Sequence, residues 1–253
     1  MQLDAPYRIV TGHDTANFVQ MTMDVYIQAY PKFMTYEALT DPTASALCAR
    51  YPEYQFGLVD ATTGCMVAQG SCLPLAWEGG FAELPDAGCD WALTQGFADH
   101  AHHRTPTVLC AVSMAIIPAY RGRSLSQYLI EYSKTMARSS KLRSLILAAR
   151  PSLKHLYPLI PLERYLTWHN DQGAPFDPWL RVNVQHGGQI VGICAQSMTI
   201  SDTIARWEAR TGMRFPDTGA YVIPEGLVPV NIDYAQNCGT YVEPNVWLYY
   251  DLH

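Results

Sequence analysis

The stretch that decides the fold is IIPAYRGRSLSQYLIEY, from Ile116 to Tyr132. Its first two residues, Ile116 and Ile117, are the last two of the apolar run TVLCAVSMAII, which has the composition of a buried strand. A proline and the turn AYRGRS follow, and Leu125, Leu129 and Met136 then recur at helical spacing. The pattern predicts a strand, a tight turn and a helix that begins near Ser124. Because the first amides of a helix lack partners, this is a place where phosphate can bind.

On the N-terminal side of this turn, strand and helix patterns alternate. YRIVTG predicts a first strand, and Asp14 is predicted to cap a helix that Pro31 ends. Asp41-Pro42 predicts the start of a second, short helix. FGLVD and CMVAQGSCLPLAW, joined by ATTG, predict an antiparallel hairpin.

The C-terminal side continues in the same way. SLILAAR predicts a strand, and Asp177-Pro178 predicts the start of a helix that ends near His186, with a further strand after it. SDTIARWEARTGMRFP predicts another helix, and YVEPNVWLYYDL predicts a closing strand. This order predicts an α/β (α+β) protein in which a mixed sheet has helices on both faces.

The domain organisation predicted from these segments is one domain over residues 1–253. Insertions are expected at about 79–107 and 151–177, and an elaborated C-terminal part from about 195. The second insertion is rich in proline and aromatic residues, which is typical of a structured lid or pocket wall. His100, His102 and His103 lie in the first insertion, but no ligand follows at an established metal spacing, so we predict no metal site.

Composition excludes several classes of protein. The chain has 253 residues, 49% of them hydrophobic and 16% charged, which is typical of a folded globular protein. A formal charge of -6 argues against nucleic acid as a partner. The sequence has no pattern of a membrane span or a secretion signal, and its seven cysteines are scattered, so we expect a cytoplasmic protein with reduced thiols and no membrane partner.

The turn resembles the signature of the GNAT superfamily, the acyl-CoA-dependent N-acyltransferases. That signature is Q/R-x-x-G-x-G/A, often preceded by a proline and YRG. Pro118 and Tyr120-Arg121-Gly122 match it, whereas Ser124 and Ser126 stand where glycines are usual. The resemblance implies a mostly antiparallel sheet with a splayed central strand pair, and acetyl-CoA or another acyl-CoA as co-substrate.

The resemblance also implies a set of CoA-binding residues. The amides at the turn would hold the pyrophosphate, and main chain on the preceding strand would pair with the pantetheine arm. The residues so assigned are Met114, Ile116, Arg121, Gly122, Arg123, Ser124, Leu125 and Ser126. The alternative is that YRGRS is only a strand-to-helix connection with its arginines in solvent. The serines also add a β-carbon and a hydroxyl that either crowd the site or donate an extra hydrogen bond.

The acid and base of the reaction are harder to assign. The general-acid tyrosine of many members of the superfamily would fall at Asn183, so it is absent. The segment from Arg150 to Asn170 holds the densest set of polar groups beside aromatic ones, and from it we predict Glu163 as base and Tyr157 or Tyr165 as acid. Each of these residues has an alternative role in anchoring the loop by hydrogen bonds.

Two further interpretations of the chemistry concern a second base and a covalent route. Glu243 is a second candidate base, although a turn residue before Pro244 is the preferred interpretation. Ser113 and Cys110 lie on the strand predicted to bind CoA, but no spacing marks either as a nucleophile, so direct transfer is expected.

The function predicted from the sequence is N-acylation of a small-molecule amine by an acyl-CoA. The alternatives are a catalytically inactive ligand-binding or partner-binding domain of the same fold, and another CoA-thioester reaction such as hydrolysis or decarboxylation. A homodimer stays open, because the aromatic residues near the C-terminus belong either to an interface or to the core. These residues, of which we favour a core position, are Tyr241, Trp247, Tyr249 and Tyr250.

Overall fold

The computed structural model describes residues 6–252, and in them nine strands form one mixed sheet. The strands are β1 (Tyr7–Thr11), β2 (Gln55–Asp60), β3 (Met66–Leu75), β4 (Val108–Ile116), β5 (Ser144–Ala149), β6 (Gln189–Asp202), β7 (Gly219–Tyr221), β8 (Val230–Asp233) and β9 (Cys238–Asp251). Their order is β1-β2-β3-β4-β5-β9-β8-β7, and β6 also pairs with β9. Every pairing is antiparallel except that of β4 with β5. This confirms the predicted fold class.

The helices of the described residues connect these strands. They are α1 (Phe18–Ala29), α2 (Lys32–Thr35), α3 (Thr43–Arg50), α4 (Gly88–Ala101), α5 (Leu125–Ser139), α6 (Leu162–Tyr165), α7 (Pro178–Gln185) and α8 (Ile204–Thr211). Ala115 of β4 packs in the cluster that α1 covers, whereas Met114 and Ile116 pack against the main core that includes Leu125 and Leu129 of α5. Because alternate residues of a strand point to opposite faces, α1 and α5 lie on opposite faces of the sheet.

The central strands β4 and β5 pair over a short distance and then separate. Val108–Ala111 pair in parallel with Ser144–Leu147, but β4 continues to Ile116 without β5. The register between β3 and β4 shifts at this level, where Ser71 pairs with Ser113 and Cys72 with Ala111, which leaves Val112 as a bulge. Beyond the bulge β4 stays with β3 while β5 stays with β9, so a gap opens between them.

One predicted feature needs correction, and one pair of strands was missed. Asp14 does not cap α1, which begins at Phe18 without a side-chain cap. Its carboxylate instead accepts hydrogen bonds from the amide and hydroxyl of Thr11 at 2.6 and 2.9 Å. The turn after β1 brings these two donors to the carboxylate, which therefore does not cap the helix. The short strands β7 and β8 were not predicted.

The C-terminal aromatic residues lie in the core, as favoured from the sequence. Tyr241, Trp247 and Tyr250 are each at most 1% exposed, and Tyr249 stacks on Phe81 with ring centroids 4.0 Å apart. Within residues 6–252, no helix combines the length and the apolar character that crossing a membrane requires.

The segment 151–177 is held at its end by Asp177. This buried carboxylate accepts from the amides of Trp179 and Leu180 as the cap of α7, as predicted, and also from the Leu153 amide and the Tyr165 hydroxyl. One side chain therefore ties the beginning of the segment to the helix that follows it.

Replacing Asp177 by alanine should lower the free energy of unfolding by about 2–4 kcal/mol, because a helix cap, the Leu153 amide and the hydroxyls of Ser152 and Tyr165 lose their acceptor. Chemical denaturation measures the change. Asp171→Ala, at an exposed loop position, is the control and should stay within about 0.5 kcal/mol of the unmodified protein. Equal effects of the two substitutions would contradict the role given to Asp177.

Candidate functional site

The turn between β4 and α5 presents open backbone amides. Gly122 and Ser124 both have positive φ, at 77° and 58°, and α5 begins at Leu125. Among the described residues, no protein group accepts a hydrogen bond from the amides of residues 122–126. A Cβ built on Gly122 would meet no atom within 4 Å. The turn therefore has the free donors and the space that a diphosphate group needs.

The two arginines of the turn are exposed and bonded to nearby backbone. Arg121 donates from Nη2 to the Ala29 carbonyl at 3.0 Å and from Nε to the Ile116 carbonyl at 3.3 Å. Arg123 lies over the Tyr120 ring, with its guanidinium carbon 4.3 Å from the ring centroid. Arg121 thus joins the end of α1 to the turn, and the assignment of both residues to CoA binding stays a prediction.

The two serines of the motif occupy different backbone conformations. Ser124 is exposed and left-handed, the conformation for which glycine is usual, whereas Ser126 lies in the first turn of α5 with its side chain half-buried. Only Ser124 therefore carries a conformational cost that glycine would remove.

Exchanging each serine for glycine should change stability in opposite directions. Ser124→Gly should raise the free energy of unfolding by about 0.5–1 kcal/mol, because a left-handed non-glycine residue costs about 1–2 kcal/mol and the greater chain entropy of glycine offsets part of the gain. Ser126→Gly should lower it by about 0.5 kcal/mol through lost helix propensity. Urea denaturation of both variants tests the pair, and changes of the same sign would show that the two positions are equivalent.

Met114 and Ile116 lie on β4 beyond its last pairing with β5. They pair with Gly70 and Ala68 of β3, and their side chains are half-buried. On the β5 side, this part of β4 has no strand partner within residues 6–252. The pairing of its main chain with a pantetheine arm stays a prediction.

A chain of hydrogen bonds lies on the α1 face, beside the gap. The Tyr30 hydroxyl is 3.1 Å from the Ser113 hydroxyl, and Gln69 donates to the same Ser113 oxygen at 2.7 Å. Ser71 in turn donates to the Gln69 side-chain oxygen at 3.2 Å, which fixes the orientation of the amide. Burial raises the pKa of Tyr30, so its hydroxyl stays protonated at neutral pH.

A buried ion pair lies across the gap from this chain. Arg150, directly after β5, donates from Nε to both carboxylate oxygens of Glu243 on β9 at 3.0 Å. The Glu243 side chain is 1% exposed, and it also accepts from the Tyr241 hydroxyl at 2.6 Å. Glu243 is therefore the buried partner of a cation, whereas the sequence-based interpretation made it a turn residue.

The cysteines near this site are unsuited to covalent catalysis. Burial raises the pKa of Cys89 to about 12 and that of Cys110 well above its ordinary value. Cys89 lies with its sulfur 3.7 Å from the Val112 carbonyl. Because both groups stay thiols at neutral pH, neither is activated as a nucleophile.

The predicted base and acids lie together on the segment after β5 but differ in their surroundings. Glu163 is exposed on α6, and its carboxylate accepts no hydrogen bond from the described residues. Tyr165 is buried, and its hydroxyl donates to Asp177 at 2.8 Å. Tyr157 is half-buried between Trp168 and other rings, and among the described residues its hydroxyl makes no hydrogen bond. Their catalytic roles stay predictions.

Asn183, at the position of the usual acid, has a structural role. It is fully buried, donates to the Trp179 carbonyl at 2.7 Å and accepts from the Tyr250 hydroxyl at 2.7 Å. Sequence reasoning had no local pattern by which to find Tyr30 or the pairing of Arg150 with Glu243. The available signal was that a polar residue follows β5 and another interrupts the apolar pattern of β9.

Comparisons with known proteins bear on this site. No protein-family model matches the chain. A curated relative, the arginine N-acetyltransferase avaD of Aspergillus versicolor, is 29% identical over an alignment that covers 88% of this chain and 86% of the relative. Most of the length of both proteins is therefore shared.

Two solved structures resemble the chain in fold. The loading GNATL domain of CurA from Lyngbya majuscula has a TM-score of 0.61 at 15% identity, over 97% of this chain and 98% of that one. The GphF GNAT-like decarboxylase, solved in complex with isobutyryl-CoA, has a TM-score of 0.59 at 17% identity, over 97% and 100%. These likenesses confirm the fold predicted from the turn.

Proposed function

We propose that this chain, as a member of the GNAT superfamily, transfers an acyl group from CoA to the amino group of a small molecule. The acyl group is expected to be acetyl. The observation that carries the proposal is the gap between β4 and β5, which leads to the open amides of residues 122–126. The avaD relative is named for arginine, so arginine is the first acceptor to test.

In the proposed reaction the amine attacks the thioester carbonyl directly. The C–N bond forms, the C–S bond breaks, the amine loses a proton to a base, and the CoA sulfur gains one from an acid or from solvent. An amide of β4 near the Val112 bulge would polarise the carbonyl, as an oxyanion hole does. Burial keeps Cys89 and Cys110 protonated, which supports a route without a covalent enzyme intermediate.

Isothermal titration with acetyl-CoA tests the turn, and Gly122→Ala and Gly64→Ala form a matched pair for it. Both glycines have positive φ, at 77° and 72°, and a Cβ on either meets no atom within 4 Å. Each variant should lose about 1–2 kcal/mol of stability. Only Gly122→Ala should weaken acetyl-CoA binding, by at least about tenfold, because only its amide belongs to the turn proposed to hold the diphosphate.

The outcomes also separate the alternatives. Acetylated product formed only with an amine supports the proposed transfer. Binding without turnover indicates the inactive ligand-binding domain. Thiol release without an amine indicates hydrolysis, whereas CO2 release from an acyl-CoA that carries a carboxylate, without thiol release, indicates decarboxylation. If wild-type protein binds no acyl-CoA, the proposal is overturned.

The proposed acid and base are those predicted from the sequence. The hydrogen bonding of the two tyrosine hydroxyls supports Tyr157 rather than Tyr165 as the acid. A proton donor needs a hydroxyl free to reach the sulfur, and the Tyr165 hydroxyl is bonded to Asp177. Glu163, exposed and without a hydrogen-bond donor among the described residues, keeps its lone pairs free for a base. This assignment is part of the proposal.

Tyr157→Phe and Glu163→Gln should each lower kcat by about 100-fold and leave the KM for acetyl-CoA within about threefold, because each removes a proton transfer but no binding contact. Steady-state kinetics measures both quantities. Tyr165→Phe is the control. It should keep kcat and lose about 1.5–3 kcal/mol of stability through the lost bond to Asp177. A kcat loss confined to Tyr165→Phe would reverse the assignment.

Three further expectations belong to the proposal. The seven free cysteines support a cytoplasmic location. The single sheet supports one domain over residues 1–253 with the expected insertions and C-terminal elaboration. A homodimer is kept as an expectation, with sedimentation velocity as its test, and nucleic acid and membranes are not expected as partners.

A further inference from the structure

Arg150 has hydrogen-bond donors to spare at the mouth of the gap. Its Nε bonds Glu243, and its Nη2 bonds the Glu225 carbonyl at 2.7 Å. None of the hydrogen bonds among the described residues uses Nη1. The side chain is 18% exposed, and its Nη1 atom is not fully buried, so solvent reaches it.

The surroundings hold this guanidinium in one place. Glu243 takes the Nε edge, and Tyr241 holds the carboxylate of Glu243 from the other side at 2.6 Å. Leu227 donates its amide to the Tyr241 hydroxyl at 2.9 Å, so this chain of bonds extends into the backbone. An arginine fixed on one edge with N–H groups free on another is suited to bind a carboxylate in a planar, bidentate geometry.

Arg150 lies directly after β5, beside the gap. It follows β5, and the separation of β4 from β5 leaves the gap between it and Ser113. Tyr30 is bonded to Ser113 and lies within electrostatic range of Arg150. The turn that would hold CoA leads into α5, which packs on the opposite face of the sheet from α1 and Tyr30. An acyl group in the gap would therefore have the CoA on one side and Arg150 and Tyr30 on the other.

We propose that Arg150 binds the carboxylate of the acceptor, so that the acceptor class is α-amino acids and not amines that lack a carboxylate. In an α-amino acid one carbon separates the carboxylate from the amine, so a carboxylate on Arg150 holds the amine beside the gap. An amine without a carboxylate would bring its positive charge towards an unpaired edge of a guanidinium, which disfavours it. The inference rests on the proposed function and names its substrate class.

The test is a binding measurement that does not depend on acyl transfer. Isothermal titration compares each amino acid with the amine that lacks its carboxylate: arginine with agmatine, lysine with cadaverine, and phenylalanine with phenethylamine. At least one amino acid should bind ten- to hundred-fold more tightly than its partner amine. Acetyl-CoA is titrated separately, so a failure of the proposed function stays distinguishable from a failure of this inference.

Variants connect the preference to Arg150. Removing Arg150 alone would leave Glu243 buried without its cation and endanger folding, so the variants are Arg150→Lys and the double variant Arg150→Gln/Glu243→Gln. The first keeps the charge and loses the planar fork, and the second removes both charges. Each should reduce the ratio of the two affinities to below about threefold. Arg143→Lys is the control, because Arg143 immediately precedes β5 and bonds the Trp77 carbonyl, and it should keep the ratio.

Four results would count against the inference. The first is a wild-type protein that binds the amines as tightly as the amino acids, and the second is one that binds neither member of any pair. The third is a preference for the amino acid that survives both Arg150 variants. A preference that Arg143→Lys also removes would likewise count against Arg150 as its source.

Discussion

The fold depends on the separation of two adjacent parallel strands, β4 and β5. β4 is held by β3 along most of its length, β5 is held by β9, and the two pair with each other at only four positions. The bulge at Val112 marks the place where the partners become incompatible. Past that point, main-chain groups in the middle of the sheet have no strand on one side. Because such groups need hydrogen-bond partners, the gap suits an extended molecule with amide groups, as a pantetheine arm is.

The charged pair at the mouth of this gap has a different physical basis. A buried ion pair contributes little net stability compared with apolar residues of similar volume, because removing two charges from water is costly. Stability alone therefore does not account for Arg150 and Glu243. What an apolar pair would lack is the set of unused N–H groups on Arg150, which binding a carboxylate requires.

The sequence predicted those parts of the fold that rest on local signals. The hairpin around ATTG and the Asp177-Pro178 cap were found because turn and cap chemistry lies within a few residues. The predicted cap at Asp14 was wrong because a second local signal competes with it: the turn after β1 offers the carboxylate nearer donors. The strands β7 and β8, of three and four residues, are too short for a period to be visible.

The site was harder to predict because distant segments assemble it. Arg150 and Glu243 are 93 positions apart, and Tyr30 and Ser113 are 83 apart. No spacing rule reports such pairs, and the motif at Gly122 could be found only because its proposed function lies in consecutive backbone amides. Chemistry carried by backbone at a turn is thus visible in a sequence, whereas chemistry carried by side chains from separate strands is not.

The segment between β5 and α7 is better described as a fixed wall than as a moving lid. Lys154 is fully buried and donates to the carbonyls of Tyr157 and Leu227 at 2.8 and 2.7 Å, and burial lowers its pKa. Asp177 holds the other end. With both ends fixed and its ring packed against Trp168, Tyr157 has little freedom to move. If Tyr157 is the proton donor, as proposed, its fixed position would need no reorganisation when the sulfur departs.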